Sequence, residues 1–321
     1  MEAHFSVPEV RRVLAHYALG ETRSVRELRG GTRASAKAVV ECTRGAFLLK
    51  RLEARDADPA HLVFRHTLML AARRAGVRVP ELIGTRDDNN SMLQLDHRVY
   101  ELARFIPGRA FMQGESTLED AAQAGSTLAA FHRATGGIAL PTTARARGGE
   151  LFAGEPPAGC ARAVERAWRE ARDRRAAQGA PRRALHGDVH PGNVIYDGAG
   201  EAWLLDFDAA HAGVASDDLA QGAGQFAWAG DRASASGDRL VLEAFWHGYA
   251  SARGPGLMPA DDAPWRIAGS LALEIAGARG DAGHTADEAT RMGAEGERRV
   301  AALVDRAEEL AGRLRDASRA S

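Results

Sequence analysis

The sequence predicts an α+β chain: a β-rich part over residues 1–106, then a larger, mainly helical part over residues 107–321. Three observations carry this. Short β-type runs separated by glycine-containing turns crowd the first part. Apolar stripes of helical period dominate the second. Between them Pro107-Gly108 stops the last predicted strand where the pattern changes.

Residues 8–19 read as a short helix, with Val10, Val13, Leu14 and Tyr17 on one face. A strand follows over Ser24 to Arg29, then a small-residue loop from Gly30 to Ala36 and a strand over Lys37 to Thr43. Arg44-Gly45 turns the chain into the next strand, Ala46 to Leu52, which is hairpin grammar. A helix is expected over Pro59 to Ala75, with Gly76 placed as a C-cap. Further β signals run through Glu81–Thr85, Met92–Asp96 and Val99–Ile106, the first two separated by the turn cluster Asp87-Asp88-Asn89-Asn90. Helical periodicity then marks Leu118–Ala134, Ala161–Ala176, Leu240–Ser251, Pro264–Ala278 and Arg299–Leu314. In the second of these, Glu165/Arg169 and Glu170/Arg174 stand at the i,i+4 spacing of a solvated face. In the last, Val300, Leu303, Val304, Ala307, Leu310 and Leu314 form one apolar stripe. The Gly/Pro/Arg-rich stretch from Gly136 to Pro157 reads as an exposed loop.

Composition narrows the function. The 321 residues carry a formal net charge of -1, which argues against bulk nucleic-acid binding. Cys42 and Cys160 are the two cysteines and are far apart, so neither a disulfide framework nor a cysteine zinc site is expected. No signal-peptide pattern opens the sequence, and no run approaches the roughly 18 apolar residues of a spanning helix, so a soluble cytoplasmic protein without a membrane partner is the expectation. The basic residues are 40 arginines and only two lysines, Lys37 and Lys50. Coding bias accounts for the ratio. The retained lysines stand out because arginine does not replace a compact point charge.

The densest polar chemistry is His186-Gly187-Asp188-Val189-His190-Pro191-Gly192-Asn193, followed by Val194-Ile195-Tyr196, a turn, Ala202 to Leu205 and Asp206-Phe207-Asp208. Two apolar runs around a glycine-containing turn form a hairpin, and that turn lies midway between Asn193 and Asp206. The two are therefore brought side by side at the hairpin's open end. A carboxylate and an amide oxygen at one mouth suit Mg²⁺, which prefers oxygen ligands. Asp188, just upstream, is then placed to accept a proton, which together is the equipment for phosphoryl transfer to a hydroxyl.

H-x-D-x-x-x-x-N followed by D-F resembles the catalytic-loop and metal-loop signature of the protein-kinase-like fold. The form here, HGDVHPGN with DFD, is similar to the aminoglycoside phosphotransferase, choline kinase and homoserine kinase group. Leu128-Ala129-Ala130-Phe131-His132 resembles that group's L-A-x-L-H helix end, Asp217-Asp218-Leu219-Ala220 its D-L-A helix start, and Gly248-Tyr249 its G-Y helix. The resemblance implies a bilobal fold with an N-terminal antiparallel β-sheet lobe, and an ATP- and Mg-dependent transfer to a small-molecule hydroxyl in a cleft between the lobes. By the same resemblance Asp188 is the base, Asn193 and Asp206 hold Mg²⁺, and Asp218 braces the loop. Backbone amides from Gly31 and Thr32 to Ser35 would cradle phosphates. Lys50 would bind them as a point charge, and the carbonyl of Arg104 with the N–H of Ile106 would pair with adenine. Asp261, Asp262, Glu274 and Asp281 are candidates to meet an amine-bearing acceptor such as an amino sugar, amino alcohol or homoserine-like amino acid, or else are solvated charges.

One departure stands out. The group supplies a helix glutamate to hold the lysine, whereas His61 to Ala75 contains no acid and Arg65 and His66 occupy the expected stretch. Glu53 is at an odd offset from Lys50 and on a continuing strand points to the other face. This keeps open a nucleotide-binding scaffold without turnover, which the trio Asp188, Asn193 and Asp206 opposes. A metal-dependent phosphoesterase is the other rival, using Asp188, His190, Asp206, Asp208 and His211, although no G-N-H segment accompanies them. No A-P-E segment follows Asp206, which argues against a protein kinase.

Overall fold

The computed structural model describes residues 4–28, 35–52, 57–111, 115–140, 155–156, 160–227, 235–280 and 286–319. The chain divides into two compact units, Met1–Pro107 and Gly108–Ser321.

The first unit is built on a five-stranded antiparallel sheet. It comprises β1 (Thr22–Glu27), β2 (Ala36–Cys42), β3 (Gly45–Arg51), β4 (Leu93–Leu95) and β5 (Arg98–Arg104), in the order β1-β2-β3-β5-β4. Two helices belong to it, α1 (Val7–Leu14) and α2 (Pro59–Arg74). Edge strand β1 is exposed along its length and rich in charge, which discourages pairing with other chains. Side chains alternate across the sheet. Phe47 and Leu49 of β3 join Tyr100 and Leu102 of β5 in a core with Val10 and Val13 of α1. Ser6 and Glu9 form a capping box at the start of α1. Glu9 also accepts from Arg51 Nη1 at 2.7 Å and from the Tyr100 hydroxyl at 2.8 Å, which fastens the helix to the sheet.

Two expectations for this unit change. The first helix ends at Leu14, and Tyr17 enters the core from the turn beyond it. Glu81–Thr85 forms no strand: one isolated bridge, Leu82 to Ala103, joins it to β5. It follows Pro80, which brings no N–H to a ladder, and Thr85 is already turned back onto Asn90.

The second unit contains α3 (Leu118–Ala134), α4 (Arg162–Gln178), α5 (Ala215–Phe226), α6 (Ala235–Ser251), α7 (Ala263–Gly280), α8 (Ala286–Asp305) and α9 (Ala307–Arg319). Two small sheets interrupt the helices. One pairs β7 (Arg183–Leu185) with β10 (His211–Gly213). The other runs β6 (Arg109–Ala110), β8 (Val194–Tyr196), β9 (Ala202–Leu204). Helices α3 and α6 cross at a pair of glycines. A Cβ on Gly125 would strike the Phe245 carbonyl and one on Gly248 the Ala122 carbonyl, so the backbones meet where no side chain fits.

The stripe from Val300 to Leu314 is not one helix, as its periodicity suggests, but two, parted at Arg306. Both halves pack on α7, and they differ in their second neighbour, α4 for α8 and α6 for α9. Val300 and Val304 complete a core with Val164 and Trp168 of α4 and Leu271 of α7, while Arg313 of α9 pairs with Glu243 of α6. On α4 the expected Glu170–Arg174 pair forms at 3.1 Å, whereas Arg169 lies 3.8 Å from Glu155. Among the described residues no helix is long and apolar enough to cross a membrane.

Candidate active site

The chemistry-bearing loop begins where β7 ends. His186 is buried. Its backbone N–H donates to Asp218 Oδ2 at 2.7 Å, its Nε2–H to the Leu205 carbonyl at 2.9 Å, and its Nδ1 accepts from the Asp188 N–H at 3.3 Å. Those partners fix the tautomer. Burial pushes the ring's pKa down and so keeps it neutral. Gly187 has φ +80°, and a Cβ there would collide with the Ala209 carbonyl oxygen. Its N–H donates to Asp218 Oδ1 at 2.9 Å.

Asp218, in the first turn of α5, thus holds two successive amides of the loop. Its Oδ2 also lies 2.9 Å from His132 Nε2, and His132 Nδ1 lies 2.7 Å from the Tyr249 hydroxyl. Burial alone would raise the Asp218 carboxyl. The hydrogen bond and charge of His132, with His186 and His211, hold it below the usual carboxylate range. The segments ending at His132, starting at Asp217 and containing Tyr249 are far apart in sequence, yet they meet in one polar chain behind the loop.

Asp188 stands at the front, its side chain half-exposed. Its Oδ2 accepts from Asn193 Nδ2 at 3.0 Å, and the same amide nitrogen donates to its carbonyl at 3.0 Å. His190 accepts from the Gly192 N–H through Nδ1, which leaves Nε2–H toward Asp188 Oδ2 at 3.7 Å. Burial would raise the Asp188 carboxyl, but His190 and His186 hold it below the usual range, so it is a carboxylate at neutral pH. The Asn193 carbonyl accepts from the Leu205 N–H at 2.9 Å, and Val194 pairs with Leu204. The hairpin therefore sets Asp206 one residue beyond that pairing. Asp206 itself sits at φ 58°, ψ 77°, a left-handed backbone uncommon for a residue with a side chain and concentrated at functional sites.

This donor set fits a hard cation. The Asn193 amide nitrogen is committed to Asp188, so the amide oxygen is the atom through which Asn193 could hold Mg²⁺, with the Asp206 carboxylate as the other candidate oxygen ligand. A phosphoesterase cluster is not assembled: among the described residues no three His, Cys, Asp or Glu side chains converge to hold a metal. His211 is buried, with Nδ1 on the Ala209 carbonyl.

In the first unit Lys50 is buried on β3, directly opposite Glu101 of β5. The Phe105 N–H donates to Ala46 and the Arg104 N–H to Glu81, which ties down the backbone on either side of the Arg104 carbonyl next to Ile106. Ser35 Oγ is buried and has no hydrogen-bond partner among the described residues. Gly31, Thr32 and Glu53 lie outside the described residues, as do Asp281 and the Glu274 side chain. The other two candidate acceptor acids are paired with arginines, Asp262 to Arg174 at 2.7 Å and Asp261 to Arg315. A cavity of about 400 Å³ in this first unit is lined by His16, Leu62, Thr85, Asp88 and Asn90 and includes none of the candidate site residues. Glu101 escaped the sequence reading altogether. Its only signal was an acid standing in the apolar middle of the strand, between Tyr100 and Leu102.

The model of the Phosphotransferase enzyme family, APH, matches residues 24–260, a span that takes in every residue just placed at the loop, the hairpin and Lys50. The chain belongs to the APH phosphotransferase family. No curated protein sequence matches it. Among solved structures, this APH chain is similar to an amicoumacin kinase in complex with AMP-PNP, Ca²⁺ and its antibiotic, at 13% identity and TM-score 0.70, covering 92% of this chain and 93% of that one. It is similar to a microcompartment-associated aminopropanol kinase at 18% identity and TM-score 0.71, covering 98% and 99%. It is also similar to a choline/ethanolamine kinase family protein from Mesorhizobium loti at 20% identity and TM-score 0.62, covering 98% and 99%. At these identities the likeness is one of fold, and the APH fold is what the five-stranded sheet and the helical region after it form. As an APH member the chain is a phosphotransferase of the small-molecule kinase kind.

Proposed function

We propose that this APH protein transfers the γ-phosphoryl group of ATP, with Mg²⁺, to a hydroxyl of a small nitrogen-bearing molecule. The observation that carries the reading is the Asp188 carboxylate, ionised at neutral pH and locked by the Asn193 amide. A fixed carboxylate at the mouth of the loop orients an acceptor hydroxyl and takes its proton as the oxygen–phosphorus bond forms and the bond to the β,γ-bridging oxygen breaks, releasing ADP. Asn193 and Asp206 would hold Mg²⁺, which when bound neutralises charge on the phosphates. Asp218 keeps the loop in register through the amides of His186 and Gly187. Lys50 contacts phosphate as a point charge, and the Arg104 carbonyl and Ile106 N–H read adenine. The Ser35 hydroxyl, buried and without a hydrogen-bond partner among the described residues, supports a phosphate contact at Ser35, with Gly31 and Thr32 proposed alongside it. Nitrogen-bearing acceptors are favoured by the relatives, whose names include aminopropanol, choline and ethanolamine. With Asp261 and Asp262 paired to arginines, those two carboxylates do not carry that preference.

The test is ADP release against a panel of aminoglycosides, amino alcohols, homoserine-like amino acids and macrolides. Asp188→Asn should lower kcat by about 10²- to 10⁴-fold, the usual worth of a positioned base, while Mg-ATP still binds. Turnover that survives the substitution overturns the mechanism. Nucleotide binding with no turnover on any acceptor favours the scaffold reading.

A further inference from the structure

We propose that Glu101 is the positioning residue of Lys50, supplying from the neighbouring strand the carboxylate that α2 lacks; this rests on the reading of Lys50 as a phosphate-binding residue. Helix α2, PAHLVFRHTLMLAARR, carries no acid at all. Lys50 and Glu101 are register partners on antiparallel strands. Residues directly opposite share a face, with their Cβ atoms about 5 Å apart. Both side chains are buried, and Lys50 is among the charges that hold the Glu101 carboxyl ionised.

Helix α2 reverses the usual polarity. It sends two cationic-type side chains to the carboxylate instead of one carboxylate to the lysine: Arg65 Nη2 and His66 Nε2 both meet Glu101 Oε1. His66 Nδ1 is held in turn by the Ser91 hydroxyl at 2.7 Å. Across the other side of β3, Lys50 is paired in register with Lys37 of β2. Both lysines of the protein therefore lie in one row, Lys37–Lys50–Glu101, and the row together with α2 contains a single acid.

Two consequences follow from that arithmetic of charge. A lysine on its flexible stem needs a fixed anion to hold it, and Glu101, pinned from the helix side, is such an anion. Because Arg65 and His66 share the carboxylate, Glu101 orients Lys50 without cancelling it. Lys50 and Arg65 on either side of that carboxylate make a cationic neighbourhood that a polyphosphate complements.

The measurement is calorimetric titration of Mg-ADP and Mg-AMP-PNP, alongside steady-state kinetics, on wild type, Lys50→Ala, Glu101→Gln and the double variant. Glu101→Gln should weaken nucleotide binding and raise the KM for ATP at least tenfold, with the acceptor KM unchanged. Adding Lys50→Ala should then weaken binding by less than threefold more, because the two act as one unit. If Glu101→Gln unfolds because Arg65 is stranded, Glu101→Gln/Arg65→Met removes both charges, and its nucleotide binding must remain weak. Wild-type affinity in either folded variant, with Lys50→Ala weakened, overturns the role of Glu101 alone. If wild type binds nucleotide and Lys50→Ala binds equally well, the reading of Lys50 falls and takes this inference with it.

Discussion

Asp206 and Gly187 share a feature that side-chain chemistry alone does not require: both sit at positive φ. Gly187 has no alternative, because any Cβ meets the Ala209 carbonyl and the left-handed backbone is strained for other residues. Gly187→Ala should therefore destabilise the protein by about 2–3 kcal/mol, combining the backbone strain with displacement of a packed carbonyl. Urea denaturation checks this, and a loss within about 0.5 kcal/mol, the scale of an ordinary surface change, would contradict it. At this scale the sequence was legible where the chemistry is contiguous. HGDVHPGN and DFD name their residues in a row, and the hairpin between them places Asn193 beside Asp206. Glu101 was not legible. Lys50 and Glu101 meet only through strand pairing between β3 and β5, and no local pattern marks such a pair.

Between elements, the second unit depends on buried polar ties as much as on apolar stripes. Arg266 of α7 is almost wholly buried and reaches Asp217 and Ser216 at the start of α5, while Arg175 of α4 meets the same Asp217 at 3.1 Å. Arg266→Met should cost about 3 kcal/mol, the lower part of the range for breaking a buried pair, because Arg175 still partners the carboxylate. The double variant Asp217→Asn/Arg266→Met should melt lower than Arg266→Met alone, because Arg175 then loses the same carboxylate. A higher melting temperature for the double variant would show that Arg175 does not compensate the carboxylate left by Arg266. The division of the last stripe into α8 and α9 belongs to this scale too. Its periodicity runs unbroken through Arg306, so nothing in the apolar pattern marks the break; α8 packs also on α4 and α9 on α6, and such packing is not local information.

At the scale of the molecule, the carboxyls of Glu101, Asp188 and Asp218 are among those held below their usual range, Glu101 by Arg65, His66 and Lys50 and the two aspartates by neighbouring histidines. A carboxyl whose folded pKa is depressed contributes stability that is complete above its unfolded pKa and is lost as pH falls toward the folded one. For Glu101, burial raises the carboxyl, but the charges of Arg65, His66 and Lys50 bring it from 4.5 down to about 2. Its share of stability is thus present above pH 4.5 and disappears between there and about pH 2. Melting temperature should be flat in this respect from neutral pH down to 4.5 and then fall, and the fall should be shallower in Glu101→Gln. An equal slope in the variant would show that Glu101 does not carry the effect.

Asp218 grips the loop by its main chain. The amides of His186 and Gly187 are the groups it holds, and an amide is the same whichever side chain stands above it. A scaffold anchored in this way separates inheritance of geometry from inheritance of sequence. Side chains on the loop can be exchanged without releasing the main-chain contacts that set the position of Asp188. In this chain the place of the loop is thus written in the α5 carboxylate and two main-chain amides, not in the side chains the loop displays.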